Sequence, residues 1–185
     1  MADSYSFAVA VVGCIGERLS AKAAEVGQLA GTAAFDGWLV GEAYLACKGR
    51  QESYPFCEVE AAPTYASEGV AGEGEVGGLR VGGPDGGADH CWLFAEYVVV
   101  GHEGWQGNPT VVAAADRLKR LGWKKSAALL IVVTVSRDGV SPAGAAWDRP
   151  ALTAPVVIPF AGGQIVLTAF DIKREPADTL TGFGR

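Results

Sequence analysis

Two carboxylates occupy positions where an apolar surface is expected to exclude them. In Cys91-Trp92-Leu93-Phe94-Ala95-Glu96-Tyr97-Val98-Val99-Val100 the side chains of an extended chain alternate between faces, so Glu96 shares its face with Trp92, Phe94, Val98 and Val100. In the segment 37–48, Trp38, Glu42 and Leu45 recur at i, i+4, i+7, which sets Glu42 on the apolar face of a helix. A carboxylate in apolar surroundings is costly unless it is paired, hydrogen-bonded, protonated or bound to a metal. The bland outcomes are a structural hydrogen bond, a strand end or a helix edge that reaches water. The chemical outcome is a site in which carboxylate oxygens hold a hard cation.

The elements that must position these residues follow from periodicity. Both faces of 91–100 are apolar, the pattern of a central strand covered by layers on each side. Residues 5–34 carry Val11, Ile15, Leu19 and Val26 at helical spacing; Gly13, Gly16, Gly27 and Gly31 weaken the helix, and a break is expected near Gly27. Small residues at 27 and 31 would permit close packing on a neighbour. Asp36 is placed to cap a second helix, Gly37 to Lys48, closed by Gly49. Phe56 to Ala61 alternates as a strand with Glu58 and Glu60 on a polar face, and Leu79 to Val81 reads as a short strand. Residues 66–78 read as a loop, and Gly82-Gly83-Pro84-Asp85-Gly86-Gly87 as a turn. Asn108, Pro109 and Gly122 bracket a helix from Pro109 to Leu121. Its buried side is read as Val112, Ala115 and Leu118 with Leu121 or Val111, and Asp116 with Arg120 as an exposed i, i+4 pair. Ala127 to Val135 is a continuous apolar run, a second buried strand parallel to the first through that helix. A Gly- and Pro-rich loop, 136–155, leads to a hairpin of Val156 to Phe160 and Gln164 to Ile172 around Gly162-Gly163, then a polar tail.

The fold class that results is α/β: an αβββαβ core with a mixed central sheet flanked by helices, plus a C-terminal β-hairpin. With 185 residues and no internal repeat or linker, residues 1–185 read as a single domain: an N-terminal helix in 1–35, the core in 36–135, and loop, hairpin and tail in 136–185.

Composition narrows the function classes. A hydrophobic fraction of 49% against 19% charged residues excludes whole-chain disorder. The net charge of -6 disfavours a large nucleic-acid footprint, although Arg117, Lys119, Arg120, Lys124 and Lys125 cluster locally. Cys14, Cys47, Cys57 and Cys91 form no CxxC pair and read as buried free thiols of a reducing, cytoplasmic compartment. His90 and His102 are too few for a His-rich metal site. Phe7 to Cys14 resembles a lipoprotein box, but no basic residue precedes the apolar run, so export is not expected; nor does any apolar stretch approach the ~20 residues of a membrane span. The glycine-rich turn follows neither the P-loop nor the dinucleotide pattern, nothing resembles a nucleophile elbow, and the tryptophans read as core or interface anchors.

Over residues 36–135 the order α, β, β, β, α, β resembles the common core of the restriction-endonuclease-like, or PD-(D/E)xK, superfamily. That resemblance implies a helix glutamate, an aspartate on the second core strand and an E-x-K on the third, surrounding Mg²⁺ that polarises a phosphodiester and helps form hydroxide. Glu42 matches the helix glutamate and Glu96 the E of E-x-K; Asp85 or Asp89 stands for the aspartate, with Glu42, Asp89 and Glu96 as the implied metal ligands. The lysine position is Val98, which neither donates nor carries charge; Lys119, Lys124 and Lys125 are the near candidates for a migrated lysine.

Three readings follow from the sequence. The chain is a degenerate nuclease-like domain acting as a binding or scaffold subunit, with protein partners or further copies of itself. Alternatively it is an active Mg²⁺-dependent nuclease, which requires Glu42, Glu96 and an aspartate to converge. The third is an unrelated structural protein of a phage neck or tail, with a different strand order and an interface formed by the 66–78 or 139–155 loop.

Overall fold

The computed structural model describes residues 4–50, 58–63, 77–83, 91–101, 107–121, 127–137 and 149–173. The elements are helices α1 (Ser4–Ala21), α2 (Ala23–Leu29) and α3 (Phe35–Lys48), strands β1 (Glu58–Ala61), β2 (Leu79–Gly83) and β3 (Cys91–Val100), helix α4 (Pro109–Arg120), and strands β4 (Ala127–Arg137), β5 (Val156–Phe160) and β6 (Gly163–Asp171). Among the described residues the strands form one mixed sheet in the order β1-β2-β3-β4-β6-β5. β3 and β4 are parallel and joined through α4; every other neighbouring pair is antiparallel. The α/β class, the central strand and the C-terminal hairpin thus agree with the sequence reading.

Alternation along the central strands divides the apolar side chains into two cores. Leu93 and Ala95 of β3, Leu129, Ile131 and Val133 of β4, and Ile165 and Leu167 of β6 face α1, α2 and α3. Phe94, Val98 and Val100, with Leu130, Val132 and Phe170, face α4. Each fully buried Val, Leu, Ile or Phe contributes about 1.5–3 kcal/mol, which is what allows the sheet to tolerate a carboxylate in its middle.

Several local expectations are corrected. The first helical stretch breaks at Lys22, between α1 and α2, and not at Gly27. Gly27 lies inside α2 against Phe160; a Cβ there would stand 3.1 Å from that side chain, so the missing methyl lets the helix approach β5. Gly31 approaches nothing within 4 Å. In α3 the N-cap position is Ala34, not Asp36, which lies in the first turn where its charge suits the positive helix end. The buried face of α3 is Phe35, Leu39, Glu42, Ala43, Ala46 and Cys47, and Leu45 is 45% exposed. In α4 the Asn108 side chain accepts from the Thr110 N–H as expected, but Val111, Ala114, Ala115 and Leu118 are buried and Val112 is exposed. Asp116 pairs with Lys119 at i, i+3. β4 runs on to Arg137, whose guanidinium donates to the Ala30 carbonyl at 2.8 Å and stacks over Phe160. This tie secures the C-terminal end of α2 to the hairpin.

The two sheet edges are built differently. On β1, Glu58 and Glu60 share the polar face predicted for them, and both accept from Arg80 of β2, at 3.2 and 2.7 Å. On β5 the exposed row contains Val157 and Pro159. Gly162, with φ 84°, sits in the two-residue turn between β5 and β6. In such a turn the closing pair, Phe160 and Gly163, is the hydrogen-bonded kind, so at Pro159 the ring nitrogen faces the open edge.

Candidate functional site

Glu96 sits on β3 in the row Glu96, Leu130, Phe170, on the face covered by α4. It is 4% exposed. The partner is Arg117, one α4 turn before the helix end. Its Nε donates to Oε1 at 3.1 Å and its Nη2 donates to Oε2. The planar guanidinium matches the two carboxylate oxygens as a fork, a geometry lysine cannot reproduce. Val98, two residues on, shares this face and is buried beneath the same helix.

Glu42 sits on α3 on the other side of the sheet. It is buried, and both of its oxygens are engaged by α1 and the α1–α2 junction: Arg18 Nε donates to Oε2 at 2.5 Å and Lys22 Nζ to Oε1 at 2.9 Å. Burial pushes the carboxyl up, but the hydrogen bonds from Lys22 and Arg18, with their charges, outweigh it and hold the group below its usual 4.5.

The two carboxylates therefore lie in different cores, with the sheet between them, and each has both oxygens turned to basic side chains. Both are buried, so the solvent-reaching helix edge considered for Glu42 and strand end considered for Glu96 are not what forms, and the convergence of Glu42 with Glu96 that the active-nuclease reading requires is absent. Asp85 and Asp89 lie outside the described residues, as do Cys57, His90, His102, Lys124 and Lys125. Among the described residues no group of three or more His, Cys, Asp or Glu side chains could hold a metal ion. Mg²⁺ demands several oxygens converging in near-octahedral geometry. Glu42 and Glu96, as placed here, do not fit such an ion.

Sequence reasoning missed a cleft between α1 and α3. It has a volume of about 320 Å³ and is lined by Arg18, Lys22, Arg50, Glu17, Leu45 and Cys14, among others. Arg50 pairs with Glu17 across its mouth. The available signal was the run of charges on one side of α1 facing the charged end of α3; it was obscured by reading Leu45 as core. Cys14 and Cys47 are free thiols. Burial raises both, Cys47 to about 12, with the Cys14 charge adding to the effect, so neither is an activated nucleophile. Burial likewise raises the Tyr97 phenol, which stays neutral.

Compared with protein-family models, with curated proteins and with solved structures, the chain has no match. No helix is long and apolar enough to cross a membrane among the described residues.

Proposed function

We propose that this chain is a non-catalytic binding or scaffold subunit of a larger assembly, built on a restriction-endonuclease-like core whose acidic positions have been taken over by ion pairs. One observation carries the reading: Glu42 and Glu96, the two carboxylates that the resemblance would assign to metal, stand on opposite faces of the sheet and are each engaged by basic side chains. The order α3-β1-β2-β3-α4-β4, with helices on both faces of a mixed sheet, supports the core resemblance. Val98 at the lysine position, packed under α4, supports the loss of catalysis. So does the charge of -6, which opposes a polyanionic substrate.

The test is titration calorimetry with Mg²⁺ and Mn²⁺ on the wild type and Glu96→Gln, followed by nuclease assays on single- and double-stranded DNA. The expected result is no metal binding that depends on Glu96 and no cleavage by either protein. Metal-dependent cleavage by the wild type that is lost in Glu96→Gln overturns the proposal and restores the active-nuclease reading.

A further inference from the structure

The cleft between α1 and α3 combines three features. The first is shape: its volume of about 320 Å³ falls at the small end of the range for ligand sites, enough for one or two side chains of a bound segment. The second is Leu45, one of three large apolar side chains left exposed among the described residues, and the one that lines this cleft. The third is charge. Arg18 and Lys22, each 32% exposed, share the single carboxylate of Glu42. Among these three groups one positive charge is left over, in a chain whose net charge is -6.

Helix ends do not cancel that excess. The C-terminus of α1 abuts the N-terminus of α2 at Lys22, so their opposite partial charges offset. Only the C-terminal end of α3 remains, about half a negative charge.

We propose that this cleft docks a short acidic segment of a protein partner, seating an apolar side chain on Leu45 with carboxylates against Arg18 and Lys22. The inference rests on the reading of the chain as a binding subunit and names the surface that binds. A nucleic acid fits less well. Its charge extends far beyond the cleft, into the field of an acidic protein, and it offers no aliphatic group for Leu45.

The experiment is an amide NMR titration of the full chain with the probe peptide acetyl-Glu-Leu-Glu-Leu-Glu-amide. The comparison probes are the same peptide with Lys for Glu, the same peptide with Ser for Leu, inorganic phosphate and a ten-nucleotide oligothymidine. The expected result is saturable shifts confined to 14–22 and 45–50 with the acidic leucine peptide. Lys22→Gln is expected to weaken binding about fivefold, the scale of one exposed ionic contact, and Leu45→Ser, at a position 45% exposed, to weaken it about threefold through lost apolar contact. No saturable shifts in the cleft overturns the proposal. So does equal binding of the lysine peptide, of the serine peptide, of phosphate or of the oligonucleotide. A silent titration alongside absent nuclease activity removes this surface and leaves the non-catalytic reading standing; metal-dependent cleavage removes that reading independently of the titration.

Discussion

Replacing Arg117 by Met tests the Glu96 ion pair most directly. Methionine preserves the length and apolar bulk of the side chain under α4 and removes the guanidinium. The Glu96 side chain is 5% exposed and stays in place without its fork. Breaking a fully buried pair costs about 3–5 kcal/mol. The Arg117 side chain is 29% exposed, so solvent already screens part of the pairing, and the lower end, about 3 kcal/mol, applies. In a chain of this length that lowers Tm by about 6–12 °C. Glu96→Leu costs less, about 1 kcal/mol, because the guanidinium can turn to water. The double variant, apolar at both positions, should return close to wild type. Urea unfolding of the four proteins at pH 7 closes the cycle, with a coupling of about 4 kcal/mol. If Arg117→Met lies within about 0.5 kcal/mol of wild type, or the double variant is as unstable as the sum of the singles, the pair does not hold Glu96 in the fold as argued.

Further outcomes follow from other contacts. Because the folded protein holds Glu42 below its usual 4.5, the stability it contributes is present above that value and lost as pH falls below it; acid unfolding curves of Glu42→Gln should accordingly be flatter than wild type in that range. Arg137→Ala removes both the bond to the Ala30 carbonyl and the stacking on Phe160, with an expected cost of about 1–2 kcal/mol and faster amide exchange concentrated in α2. Asn108→Ala should cost about 1 kcal/mol, read by thermal unfolding, through loss of the bond to the Thr110 N–H.

The strands were the most legible part of this chain. β3 and β4 are apolar on both faces, and a well-bracketed helix between them leaves a parallel pairing as the short connection. Helix faces were less legible where apolar residues are plentiful. Val111 and Val112 are adjacent and chemically identical, and only the direction in which α4 meets the sheet decides which is buried. The same ambiguity set Leu45 in place of Cys47 on the buried face of α3. The burial of Glu42 and Glu96 could be read locally, since it depends on near neighbours in sequence. Their separation could not: it depends on which face of the sheet each helix covers, and their partners lie 20 to 24 residues away along the chain.

The contrast between the two sheet edges bears on how this protein can be assembled. Glu58 and Glu60 would have to lose water if a foreign strand were laid beside β1, and Pro159 deprives such a strand of a donor on β5. Among the described strands, growth of the sheet by strand addition is opposed at both ends. Contacts made through helical surfaces instead of strand edges would let single substitutions change affinity without exposing a template for aggregation.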